Sequence, residues 1–216
     1  MTQPTPDLHA ETIDGQPVPT KATIAGLHEK LLPYMRETPV FTRNDFPTLG
    51  DTQVTFKYEL LQASGTFKAR GAFSNLLSLD ETQRKAGVTC VSAGNHAVAV
   101  AYAAQAMGIG AKTVMLKTAS PARSSLCREY GADLILAENV HEAFDVVKRV
   151  EQEEGRYFVH PFNGYRTVLG TATLGYEWAR QAPDLDAVIV PIGGGGLIAG
   201  VATAFKLFAP HVKVYG

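Results

Sequence analysis

Only two of the 216 residues are cysteine and only one is tryptophan. Cys90 and Cys127 stand far apart, without Cys-x-x-Cys or Cys/His spacing. That argues against a zinc site or a disulfide framework and for two buried free thiols in a reducing compartment. Net charge is nearly absent: 20 Lys and Arg face 21 Asp and Glu, leaving −1. Nothing electrostatic therefore favours nucleic acid or an acidic membrane surface as a partner. No apolar run is long enough to span a bilayer, which argues against a membrane protein. Residues 1–20 have neither the basic start nor the apolar core of a secretory signal, so the expected location is the cytoplasm. The histidines show no metal spacing: His9, His28, His141, His160 and His211 are read as structural or exposed, and no metal site is expected.

What is present is ordinary for a soluble globular chain, 45% hydrophobic and 19% charged. Residues 1–20 carry Pro4, Pro6, Pro17 and Pro19 among polar residues and read as a flexible arm. Ile24, Leu27, Leu31 and Leu32 recur at helical spacing, and Thr38-Pro39 closes that helix before a short strand, 39–42. Beyond Leu79, short apolar strands alternate with helices. Strands are expected over 88–91, 111–116, 134–136, 157–159 and 188–190. Helices are expected over 95–107, from Pro121 to Gly131, and over 141–154, 166–181 and 197–208. Apolar strands alternating with helices predict an α/β fold with parallel sheet covered on both faces. The helices over 95–107 and 166–181 carry apolar residues on more than one side, so both need cover.

One stretch stands out. Val54, Phe56 and Tyr58 alternate as a strand would place them, Gln62 to Gly65 form a polar turn, and Thr66 is positioned to cap a helix carrying Phe67, Phe73, Leu76 and Leu77. Lys68 then lies in the first helical turn. The positive end of a helix dipole disfavours a second positive charge and lowers its pKa, which leaves the free amine that Schiff-base chemistry needs. A solvated lysine on an amphipathic helix is the plain alternative.

Two further strand–turn–helix junctions carry unusual sequence. Gly193-Gly194-Gly195-Gly196 leaves backbone N–H groups bare just before a helix whose positive end faces the loop, a cradle for a phosphate monoester. It is not a P-loop, because no Gly-Lys-Ser/Thr follows, and its spacing is not that of a dinucleotide fingerprint. A flexible glycine turn is the alternative. Ser92-Ala93-Gly94-Asn95-His96 repeats the geometry and could hold a carboxylate; the alternative is a helix cap at Ser92 or Asn95 with His96 incidental.

Taken together, Ser64-Gly65-Thr66-Phe67-Lys68, Ser92-Ala93-Gly94-Asn95-His96 and Gly193-Gly194-Gly195-Gly196-Leu197 resemble the fold-type II pyridoxal-phosphate enzymes, in particular the threonine/serine dehydratases, from about Ile24 to the end of the chain. The resemblance implies two parallel-sheet αβα domains of the tryptophan synthase β-like kind. Residues 88–160 would form the small domain, and 21–87 with 161–216 an incomplete large one. It implies pyridoxal 5'-phosphate as cofactor, held by Phe67, Lys68, Asn95, Gly193, Gly194, Gly195, Gly196 and Leu197, with Lys68 catalytic. Asn95 would contact the ring oxygen. Ser92, Ala93, Gly94, Asn95 and His96 would hold the carboxylate of an amino-acid substrate.

Three departures matter. Thr66 stands where many members carry serine. Ala93 stands where the racemase branch carries a second serine serving the opposite face, so dehydration is favoured over racemisation. The chain also stops at Gly216, where family members continue, and is read as truncated. The expectation is β-elimination of threonine or serine to a 2-oxo acid and ammonia, by an enzyme that is a dimer or tetramer at full length. A racemase, another β-replacing enzyme of the fold, or an inactive ligand-binding fragment are the alternatives.

Overall fold

The computed structural model describes residues 12–216. Its central feature is a four-stranded parallel sheet made of β5 (Val88–Val91), β6 (Ala111–Leu116), β7 (Asp133–Ala137) and β8 (Tyr157–Phe158), in the order β7-β6-β5-β8. Val88 pairs with Ala111 on one side and with Tyr157 on the other, which puts β5 in the middle. Every residue of β5 is buried, and alternate side chains point to opposite faces. Val88 and Cys90 pack with α4 (Asn95–Ala106) and with Cys127 of α5 (Pro121–Glu129). Val91 and Val114 pack with Ala143, Val146, Val147 and Val150 of α6 (Val140–Glu154). Both faces are covered, as the continuous apolar strands require. Both cysteines are free and buried, as expected.

The rest of the chain builds a second layer. Helix α1 (Lys21–Leu31) buries Ile24, Leu27 and Leu31, and α2 (Lys68–Leu77) buries Phe73 and Leu76 in the same core. Helix α7 (Tyr165–Gln181) runs between α2 and α8 (Gly196–Phe208). Two glycines of these helices set the spacing. A Cβ on Gly170 would lie 2.5 Å from the Arg70 carbonyl oxygen, and one on Gly200 would lie 2.1 Å from Thr171 Oγ1. Beyond α7, β9 (Ala187–Ile189) pairs in parallel with β10 (Lys213–Tyr215).

A buried ionic cluster ties this layer together. Arg70 donates to both carboxylate oxygens of Glu59 at 2.8 Å and to Glu177 at 3.0 Å. Lys57 donates to Glu177 at 2.5 Å, to Gln181 at 2.6 Å and to the Thr38 carbonyl at 2.6 Å. Burial alone would raise the Glu177 pKa, but Arg70 and Lys57 outweigh it and hold the carboxyl below its usual range.

Several local expectations are corrected. Residues 12–17, expected in a flexible arm, form a hairpin of β1 (Thr12–Ile13) and β2 (Gln16–Pro17), because Asp14 and Gly15 both take positive φ in a tight turn. Residues 1–11 of that arm lie outside the described residues. Strands β3 (Val40–Arg43) and β4 (Val54–Lys57) are antiparallel, not part of a parallel sheet. Helix α3 (Glu81–Ala86) was not expected; Asp80 and Gln83 form its capping box. Thr66 is not the cap of α2. Phe67 holds that position without a side-chain cap, and Thr66 Oγ1 only accepts a long 3.4 Å bond from Lys68 N. Finally, α4 and α7 find their cover within the chain. Among the large apolar side chains left exposed, Ile189, Ile192 and Tyr215 lie on the β9–β10 pair and its approach.

Candidate active site

Lys68 opens α2, immediately after a strained turn in which Ser64 takes φ +62° and Gly65 φ +73°. A serine there is uncommon, and such strain concentrates at functional sites. The turn directs Lys68 inward. Its Nζ donates to the Pro161 carbonyl at 2.5 Å and sits 5.3 Å from the Phe67 ring centroid. Its pKa is lowered, and burial is the cause.

Two histidines share the cavity. His96 is buried, and its Nε2 lies 2.8 Å from the Val159 carbonyl, which can only accept, so Nε2 carries the proton. Burial, reinforced by the Lys68 charge, lowers its pKa to about 4, so the ring is neutral at ordinary pH. His160 Nδ1 accepts from Asn163 N at 2.9 Å and Phe162 N at 3.3 Å, which fixes Nδ1 as the unprotonated nitrogen. Its pKa is lowered too, by burial and then by Lys68.

The glycine run meets Lys68 from the other wall. Gly195 has φ +83° and precedes α8, whose first residue is Gly196. The Phe162 ring lies flat on Gly194, where a Cβ would come within 2.2 Å of it, and a Cβ on Gly196 would lie 2.4 Å from the Phe162 carbonyl. Thr171 donates to the Gly196 carbonyl at 2.7 Å and pins the start of α8 to α7.

The enclosed space beside Lys68 thus gathers Phe67, Lys68, His96, Gly196 and Leu197 of the residues expected from sequence. Gly193, Gly194 and Gly195 form the loop outside it. Ser92, Ala93, Gly94 and Asn95 are not in it either: Ser92 accepts from Gly94 N at 3.1 Å, the Arg123 guanidinium lies against Gly94, and Ala93 and Asn95 face outward. Sequence reading missed His160, Pro161, Phe162, Thr167 and Thr171, which line the same space. His160 to Phe162 follow β8 and precede α7, the strand–turn–helix position of the other motifs, and that signal could have found them.

A family model described as "Pyridoxal-phosphate dependent enzyme" matches residues 31–216. The chain belongs to the pyridoxal-phosphate dependent enzyme family. Within it, the chain is 68% identical over 204 residues to a phenylserine dehydratase of Ralstonia pickettii, covering 94% of this chain and 63% of that protein. It is 44% identical over 165 residues to an L-threonine ammonia-lyase of Thermotoga maritima, covering 76% of this chain and 41% of the relative. The solved structure of maize serine racemase superposes with a TM-score of 0.86 at 36% identity, over 90% of this chain and 60% of that one. The chain thus spans less than two thirds of the length of these family members. Among the described residues, no helix is long and apolar enough to cross a membrane.

The donor set suits the family's cofactor: a half-buried lysine amine on one wall, and on the other a glycine loop opening onto the amino end of α8. The space between them, about 10 Å³, holds roughly one water.

Proposed function

We propose that this chain carries the cofactor site of a pyridoxal-phosphate dependent lyase that eliminates water from a 3-hydroxy-2-amino acid. The products are a 2-oxo acid and ammonia. The carrying observation is the convergence of Lys68 with Gly196 and Leu197 on one cavity. Threonine and serine are the substrates the sequence favours. The name of the 68% identical relative adds phenylserine to that class.

When bound, pyridoxal phosphate withdraws electrons from the Cα of the amino acid joined to it. The remaining roles fall to this chain. Gly193, Gly194, Gly195 and Gly196 would hold the phosphate through backbone N–H groups. Lys68 would hold the cofactor through its amine and, when free, would accept the Cα proton. Its burial supports that role, because it favours the uncharged amine. Ser92, Ala93, Gly94, Asn95 and His96, of which only His96 lines the Lys68 cavity in this structure, would bound the substrate carboxylate, with Asn95 assigned to the ring oxygen. Neutral His96 adds no charge beside Lys68. A racemase is the second reading, and Ala93 counts against it for want of a hydroxyl on the opposite face.

Residues 88–160 then form a small domain, and 21–87 with 161–216 belong to a large one. The reading also carries a cytoplasmic location, in keeping with two buried free thiols, and assembly as a homo-oligomer.

Borohydride reduction of the cofactor-loaded protein, followed by peptide mapping, is expected to find the pyridoxyl group on Lys68. A label on Lys57, Lys112 or Lys117 overturns the assignment. Release of 2-oxo acid from threonine, serine or phenylserine, with no change of configuration in recovered substrate, separates lyase from racemase.

A further inference from the structure

His160 lines two cavities, the one that contains Lys68 and a larger one of about 420 Å³. The second is bounded by Asp14 in the β1–β2 turn, Asn75 and Ser78 at the end of α2, Tyr157 of β8, and Arg166 in the first turn of α7. Its volume is that of a small-molecule site. Its floor is rigid and satisfied. Asn75 donates to the Gly71 carbonyl at 2.8 Å and accepts from the Tyr157 hydroxyl at 3.2 Å, and Ser78 donates to the Asn75 carbonyl at 2.7 Å.

The walls carry opposite charges that do not pair. Asp14 is fixed by a 2.9 Å bond from Tyr165 N to Oδ2. Its second carboxylate oxygen, Oδ1, takes no hydrogen bond or ion pair among the described residues, and neither does the Arg166 guanidinium, whose contact is with the Tyr165 ring, 5.5 Å to the centroid. Yet both groups act on the same Tyr157 phenol. Burial raises its pKa first, Arg166 opposes that, and Asp14 adds to it. An exposed carboxylate held at one oxygen and a half-buried guanidinium without an ion pair therefore border one cavity of mixed polar and apolar lining without pairing with each other. A ligand with one negative and one positive group satisfies both; a singly charged ligand leaves one wall unpaired.

We propose that this cavity binds a free zwitterionic α-amino acid, with its carboxylate on Arg166 and its ammonium on Asp14. The shared His160 sets the ligand beside the cavity of Lys68, so the site is an ancillary one next to the proposed centre.

The test is calorimetric titration of cofactor-free protein with L-alanine, which has no hydroxyl to eliminate. One-site binding is expected, weakened at least ~10-fold by Arg166→Gln and by Asp14→Asn and largely retained by Arg166→Lys. Propionate and ethylamine, each with one charge, are expected to bind at least ~10-fold more weakly than alanine to the unmodified chain, a comparison that needs no variant. Lys68→Ala is expected to bind alanine unchanged while losing borohydride-trapped cofactor. Absent binding, propionate binding as tightly as alanine, or full retention in Arg166→Gln overturns the inference. Loss of alanine binding in Lys68→Ala also overturns it, by assigning the ligand to the Lys68 cavity, and leaves the proposed function standing.

Discussion

Lys57 and Lys68 are both withdrawn from water, and burial lowers the pKa of both. Their surroundings differ in kind. An ammonium has three protons to donate. At Lys57 three acceptors meet them, Thr38, Glu177 and Gln181, and the Glu177 carboxylate pulls back against the effect of burial. At Lys68 one neutral carbonyl accepts, and nothing opposes burial. A lysine with a complete acceptor set joins helices and strands. A lysine with one carbonyl keeps a lone pair within reach of chemistry. Burial alone does not separate the two; the count and charge of acceptors does.

Breaking the Lys57 side is expected to have the largest effect. Glu177→Ala strands both Lys57 and Arg70 without a carboxylate they now share, and should cost about 3–5 kcal/mol of stability. Urea unfolding measures it, and a loss under about 1 kcal/mol would mean that Glu59 and water replace Glu177. Next comes the Lys68 side. Gly194→Asp drives a carboxylate into the Phe162 ring and toward the proposed phosphate position. Cofactor affinity should fall at least ~100-fold, a few kcal/mol for a like-charge contact. Absorbance titration checks this, and unchanged affinity moves the phosphate elsewhere.

The smallest effect is a slope. Lys68 has a folded pKa below its unfolded 10.5, so the unfolded chain binds more protons between the two values, and stability rises with pH across that window. Lys68→Met should flatten this rise without loss of stability at neutral pH, whereas Lys57→Met should lower stability at neutral pH by leaving Glu177 with one cation. Denaturant midpoints from pH 7 upward decide it. Equal behaviour of the two variants would erase the distinction.

The three motif-bearing junctions were legible because each joins a local period to a local exception. Lys68 follows a turn of small residues, and four consecutive glycines precede an apolar helix. The parallel sheet followed from strands with no polar face, such as Val88 to Val91. The ionic cluster was not legible, because Lys57, Arg70 and Glu177 come from three separate elements and meet only through packing. The β1–β2 hairpin was missed although Asp14-Gly15 is a hairpin signal, since the neighbouring prolines outweighed it. The place of His160 in the cavity was not legible, because it depends on the segment after β8, remote in sequence from α2.

The tight contact of α7 with α2 and α8 also limits how such a chain can diverge. At Gly170 the nearest obstacles are main-chain atoms of Arg70 and Gly71, and at Gly200 they include main-chain atoms of Val168 and Ala172. Main chain has no rotamer to change, so no second substitution can make room for a methyl group there. Only a wider separation of the helices can, and Thr171 fastens α8 to α7 at Gly196, where the glycine loop ends. A lineage that lost the glycine at position 200 would therefore inherit a displaced loop as well, and would have to rebuild that wall of the Lys68 cavity before any change in the loop itself was selected.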